Sequence, residues 1–261
     1  MANLKKKDNV TTEFEDTLVG NFLCGYEDED GVVHTEFEYR EMTGADEEAI
    51  SRNTIKNSGS KIVSTILERC IVRIGTIVKS EVKPNKWHEI IKSLLVNDQD
   101  FALIQIRKES VGSTITVKHT CPNCKRELTT EVDVDELEVN PFGGDRVLEF
   151  ELRKGYKDKD GEVHKKGLVR FPNALDREII EPVARNNMAT ANTLLLSRIV
   201  TELGTLKSVN DLIIRNLTSG DRDLIIKLLS DNAFGYNFEV EIDCPDCGNN
   251  FTGQLSAVNF M

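Results

Sequence analysis

One pattern runs through this chain twice. Asp98-Gln99-Asp100-Phe101 lies over Asp221-Arg222-Asp223-Leu224 at an offset of 221 − 98 = 123. Without a gap, Gly112 then falls on Gly235, Val117 on Val240, and Cys121-Pro122-Asn123-Cys124 on Cys244-Pro245-Asp246-Cys247. Further forward the offset is 130: Gly25-Tyr26 lies on Gly155-Tyr156, Val33-His34 on Val163-His164, Arg40 on Arg170 and Asp46 on Asp176. Arg69 and Gly75 meet Arg198 and Gly204 at 129. The fall from 129 to 123 places 129 − 123 = 6 extra residues in the first copy, near Lys79 to Trp87. A motif recurring by chance would not keep its order or its distance from aspartate to cysteine. The reading is therefore two copies, each of ordinary domain size: a tail at 1–16, copy one at 17–139, a linker at 140–146 and copy two at 147–261.

Each copy opens with two extended runs around an acidic turn. These are Thr17–Cys24 and Val33–Arg40 in copy one, and Val147–Arg153 and Val163–Arg170 in copy two. Asp-Gly between such runs signals a hairpin. The turns are too short for a calcium loop and lack its distal Glu, so they read as turn chemistry. Helices are expected from Thr43 and Asn173. Longer ones are expected over Lys61–Val78 and Ala191–Leu206, where aliphatics recur at helical spacing. Short helices follow at Lys86–Leu95 and Val209–Leu217. Final helices are expected at Asp100–Glu109 and Asp223–Ser230, with Asp98 and Asp221 as helix-start residues. Two strands around a CPxC turn close each copy. The fold class is α+β: two tandem copies of a hairpin–helices–zinc-knuckle hairpin unit related by internal pseudo-symmetry.

Two thiolates two residues apart on a tight turn can occupy two corners of a tetrahedron, whereas a structural zinc takes four ligands. The repetition supplies the other two, so Cys121, Cys124, Cys244 and Cys247 are the candidate metal ligands for one Zn2+ per chain. A redox dithiol is the competing reading of a single CxxC, but that motif ordinarily precedes a helix. Cys24 and Cys70 have Lys154 and Ile199 as counterparts and read as core. His119 is a reserve ligand, its counterpart being Ile242. His34 and His164 match each other and read as packing or solvated residues. Trp87 reads equally as an exposed interface anchor or as local core.

Catalysis needs a nucleophile or an acid–base group with an orienting partner. No GxSxG, HExxH or phosphate-binding glycine loop occurs, and a closed four-cysteine zinc offers no position to water. No catalytic residue, cofactor-binding residue or small-molecule substrate is assigned. Lys+Arg of 33 against Asp+Glu of 44 leaves a net charge of −11, which argues against a nucleic-acid partner. No apolar run reaches membrane-spanning length and no secretory signal opens the chain, so a reducing cytoplasm and no membrane partner are expected.

Two stretches carry a family likeness. Tyr39-Arg40-Glu41-Met42-Thr43-Gly44-Ala45-Asp46-Glu47-Glu48 is one. The other runs from Asp221-Arg222-Asp223-Leu224 through Phe234-Gly235 to Cys244-Pro245-Asp246-Cys247-Gly248. Both resemble the baseplate hub and baseplate assembly proteins of T-even-type contractile-tail bacteriophages. The resemblance implies a non-enzymatic tail protein whose partners are other tail and baseplate proteins. It implies work in the host cytoplasm during assembly, with retention in the virion tail left open. A cellular zinc-ribbon adaptor and a CxxC dithiol redox protein are the alternatives.

Overall fold

The computed structural model describes residues 16–54 and 58–255. The first hairpin joins β1 (Leu18–Glu27) to β2 (Val33–Tyr39). Its turn closes because the Asp28 carboxylate accepts the N–H groups of Asp30 and Val32, and Gly31 takes the left-handed conformation (φ 78°) that glycine enters without penalty. Helix α1 (Gly44–Thr54) and helix α2 (Gly59–Cys70) follow, then β3 (Ile71–Ile74) and β4 (Ile77–Val78). The sheet order is β1-β2-β3-β4. The helix expected over Lys61–Val78 thus ends at Cys70. The β-branched run Ile71-Val72-Arg73-Ile74 pairs with β2 instead, which satisfies the backbone of that strand's second edge.

Helix α3 (Pro84–Ser93) and helix α4 (Val96–Val111) complete this body. Its core joins Phe22, Phe37 and Tyr39 of the sheet to Ile66 and Leu67 of α2 and Trp87, Ile90 and Ile91 of α3. Trp87 is local core, 2% exposed. Its indole N–H and the Lys79 ammonium both bond to the Glu68 carbonyl at the end of α2. The segment from Lys79 to Trp87 therefore closes a helix C-terminus, and the exposed-anchor reading of Trp87 is corrected.

Then come β5 (Thr114–Thr120), β6 (Glu127–Asp133) and β7 (Val139–Asn140). A second hairpin follows, β8 (Val147–Lys157) with β9 (Val163–Arg170). Helix α5 (Ala174–Ala184), helix α6 (Met188–Ile199) and β10 (Val200–Leu203) come next, giving sheet order β10-β9-β8. As with α2, the helix expected over Ala191–Leu206 ends early, where Val200 begins to pair with β9. Helix α7 (Asp211–Asn216), helix α8 (Ser219–Asp231), β11 (Gly235–Tyr236), β12 (Glu239–Asp243) and β13 (Asn250–Gln254) finish the described chain. No helix among the described residues is long and apolar enough to cross a membrane.

The same polar devices recur in both bodies. Arg40 and Arg69 converge on buried Asp46, and Arg170 and Arg198 on buried Asp176. Asp98 accepts the N–H groups of Leu23, Cys24 and Gly25 at 2.7, 3.0 and 2.9 Å. Asp221 accepts those of Arg153, Lys154 and Gly155. Asp98 and Asp221 do stand in the first turns of their helices, as expected, but neither carboxylate caps its helix. Helices α4 and α8 begin earlier than expected, at Val96 and Ser219, behind Leu95 and Thr218. The two carboxylates point across to the irregular edge of β1 and β8.

The bodies meet along α5, which lies against α2, α3 and α4. The Glu181 carboxylate accepts the N–H groups of Gly59 and Ser60 at 3.0 Å each, on the first turn of α2. Glu178 pairs with Lys92 at 3.0 Å, and Arg177 with Asp100 at 2.5 Å. Two backbone bonds join the segments, Ala174 N–H to the Leu94 carbonyl and Val96 N–H to the Pro172 carbonyl.

Candidate metal centre

The strands β5 and β6 pair without a bulge from Thr114↔Asp133 to Thr120↔Glu127, so CPNC forms the hairpin tip. β12 and β13 do the same for CPDC, from Glu239↔Gln254 to Asp243↔Asn250. Each tip is closed by two backbone bonds. Lys125 N–H donates to the Cys121 carbonyl and Cys121 N–H to the Arg126 carbonyl; Gly248 and Cys244 make the equivalent pair with the Cys244 and Asn249 carbonyls. The residue after the second cysteine is left-handed in both tips, Gly248 at φ 67° and Lys125 at φ 63°. Lysine holds that conformation against a steric cost, because the tip geometry demands it.

The two tips face each other. Cys121 Sγ lies 3.7 Å from Cys247 Sγ, and Cys124 Sγ 3.6 Å from Cys244 Sγ. All four sulfurs fall within 4.8 Å of one another. Zinc–sulfur bonds of about 2.3 Å in a tetrahedron require a sulfur–sulfur edge of about 3.8 Å, so this set has the size and ligand chemistry of a four-thiolate zinc site. Cys121 and Cys244 are buried and Cys124 and Cys247 exposed, with Leu128 and Ile242 beneath them. Arg126 and Asp246 pair across the gap between the tips.

The sulfurs sit in unequal environments. A hydrogen bond from the Asn123 side chain, then the Asn249 N–H, lowers the Cys247 thiol to about 6. At Cys124 the Arg126 N–H favours thiolate, but partial desolvation at the tip and the three neighbouring sulfurs outweigh it and raise the thiol to about 12. Four thiolates this close cannot coexist without a cation among them. The role of Asn123 was not assigned from the sequence; an amide between two metal-spaced cysteines was its only signal.

The remaining candidates go elsewhere. His119 lies in the seam between the hairpins, where a Cβ on Gly253 would stand 2.8 Å from its Cε1, and its buried Nε2 has no hydrogen-bond partner. Cys24 and Cys70 are buried, and burial raises each thiol to about 11. His34 and His164 are buried under their hairpin turns and bond to Asp28 and Asp158. Asp158, Glu162 and His164 also offer three grouped ligand atoms. Asp158 is already engaged by the Asp160 and Glu162 N–H groups and by His164, which is the turn chemistry expected.

A family model described as T4 bacteriophage base plate protein matches residues 28–250. No curated protein and no solved structure matches the chain.

Proposed function

This chain belongs to the T4 bacteriophage base plate protein family, and from that premise we propose that it is a non-enzymatic scaffold component whose two internal copies are fastened by one structural zinc. The observation that carries the reading is the clustering of Cys121 and Cys124 with Cys244 and Cys247, two sulfurs from each hairpin. Copy one is taken as 17–139, copy two as 147–261, and 140–146 as the linker. The element bounds support this. α1 and α5 share an offset of 174 − 44 = 130, as do the end of β1 with that of β8 and the start of β2 with that of β9, α2 and α6 share 188 − 59 = 129, and the C-terminal ends of α3 and α7 share 216 − 93 = 123.

A zinc bridging two hairpins converts metal affinity into folding free energy. It would hold the distal ends of the two bodies, as the α5 contacts hold their helices. With all four positions taken by sulfur, such a site leaves none for water or substrate. Its work would be to present fixed surfaces to other baseplate proteins during assembly in the host cytoplasm.

The test is metal content and coupling. Protein purified without chelator is expected to carry one zinc per chain. Cys244→Ser is expected to raise hydrogen exchange in both hairpins, β5–β6 as well as β12–β13. Two zincs per chain, no zinc, or exchange changes confined to β12–β13 would sink the shared site. Quantifying the chain in purified tails against assembly intermediates tests the scaffold role. Absence from both would refute it.

A further inference from the structure

We propose that the chain receives an extended, basic segment of a partner protein as an added strand on the outer edge of β6. This rests on the scaffold reading above and names the chemistry of one partner. β5–β6 and β12–β13 are separate two-stranded sheets, so β6 and β12 each have one edge without a partner strand among the described residues. The bonds at the ends of the ladders fix which groups lie on those edges. Cys121 N–H donates to the Arg126 carbonyl and Val134 N–H to the Ser113 carbonyl, and hydrogen-bonded pairs alternate along an antiparallel ladder. The even-numbered residues of β6 therefore bond to β5, and the N–H and C=O groups of Thr129, Glu131 and Asp133 point away from it. On β12 the bonds from Cys244 to Asn249 and from Leu255 to Phe238 turn the groups of Glu239 and Glu241 outward in the same way. The Glu239 N–H already donates to the Asn237 side chain at 3.1 Å, which leaves β6 the more open edge.

The two edges border one groove of about 400 Å³. Glu131, Asp133, Glu136, Glu138, Glu239 and Glu241 line it, and no lysine or arginine does. Asp133 is held by the Asp135 N–H, while the five glutamates have no ion pair among the described residues. Exposed acids of the first hairpin differ: Glu29 meets Lys86 and Glu36 meets Arg73. Proteins blunt an open strand edge with charge, proline or a bulge. β6 and β12 contain no proline and pair without a bulge, so charge is their guard. A neutral or acidic strand would strip the carboxylates of water and give nothing back, whereas Lys or Arg would pair with them.

The groove also sets the pattern of the strand that fits. Glu131 is exposed on the outer face of β6, whereas Val132 packs into the seam between the two sheets, as Val240 of β12 does. Side chains alternate along a strand, so a segment continuing the sheet beside β6 presents every second residue to the acids and the residues between to Val132 and Val240. The matching segment alternates Lys or Arg with an apolar residue.

The experiment is fluorescence anisotropy of the full chain with labelled Lys-Val-Lys-Val-Lys-Val-Lys and with its Glu-Val counterpart at physiological ionic strength, with zinc content measured on the same samples. Wild type is expected to bind the Lys-Val peptide saturably and the Glu-Val peptide not at all. In the bound state, residue-resolved hydrogen exchange should slow at least about tenfold at the Glu131 and Asp133 amides, because a ladder bond protects them. The Thr130 and Val132 amides, already bonded to β5, should not change. Glu131→Lys with Glu239→Lys should weaken the Lys-Val peptide at least about tenfold and bind the Glu-Val peptide in its place; that gain also shows that the variant is folded. Wild type without saturable binding overturns the proposal. So does binding that leaves the Glu131 and Asp133 amides unprotected, or binding that charge reversal does not alter. A peptide of residues 1–15, which carries Lys5, Lys6 and Lys7, overturns it if it outcompetes the Lys-Val probe, since the edge then belongs to the chain's own N-terminal segment. One zinc per chain without peptide binding removes only this contact, whereas peptide binding without zinc removes only the shared metal site.

Discussion

Phe22 and Phe37 stack with ring centroids 4.3 Å apart, and Phe37 stands directly across from Gly20 in the first hairpin. In the second hairpin the same cross-strand position reads Phe150 opposite Gly167. The large and small partners have changed strands, because one phenyl ring fills the space above the pair and a second would overfill it. A Cβ on Gly167 would meet the Phe150 ring and the Glu202 carbonyl oxygen, each at 2.4 Å. Gly167→Ala is therefore expected to lower stability by about 1–3 kcal/mol, the usual cost of overpacking. In a Phe150→Ala background the loss from Gly167→Ala should shrink, because the ring contact is gone, but not vanish, because the Glu202 carbonyl contact remains. Denaturant midpoints that add up, with the loss undiminished, would show that the two positions do not share this space. The pairing was not recognised in the sequence, since neither residue matches its counterpart by identity.

At the scale of elements, Asp98 and Asp221 show how a residue placed rightly at a helix start can have a different role from the one its position suggests. Aspartate near a helix start has an electrostatic reason to be there, and spacing alone cannot tell whether its carboxylate turns back on the helix or reaches outward. Here it reaches outward. Each accepts three backbone N–H groups from a strand edge that has slipped out of register with its hairpin partner. An amide cannot replace such an acceptor, because its NH2 would face an N–H donor. Asp98→Asn and Asp221→Asn are each expected to cost about 1–3 kcal/mol, as buried donors left unpaired usually do. Thermal unfolding checks this, and an Asn variant as stable as wild type would restore the capping role. The early ends of α2 and α6 have a similar origin. Ile71–Ile74 and Val200–Leu203 continue a helical apolar pattern, and only the open edges of β2 and β9 decide that they extend.

At the scale of the whole molecule, folding buries acids with their cations, which ties stability to pH. Burial alone would raise the Asp46 carboxyl, but its hydrogen bonds from Arg40, Thr43 and Arg69 win and hold it well below its ordinary 3.8. Asp176 is lowered in the same way by Arg170 and the Asn173 N–H. A carboxyl depressed on folding stabilises the protein above the unfolded value, and that stabilisation is lost as pH falls from there through the folded value. The difference in denaturant midpoint between wild type and Asp46→Asn should hence be constant above about pH 5 and shrink steadily below about pH 4. Parallel curves down to acid unfolding would contradict the shift. The sequence alone determined the hairpin turns, the starts of most helices and the tight cysteine tips, because these depend on neighbours a few residues apart. The tertiary structure decided what those local units do to each other. It turned Asp98 and Asp221 to the strands, drew Trp87 into the core, and brought four sulfurs from hairpins more than a hundred residues apart within 4.8 Å. It also covered Glu178 and left Glu48 in solvent. Two helices of similar local design differ there because only one has a neighbouring body to pack against, and burial is a property of neighbours that no local spacing records.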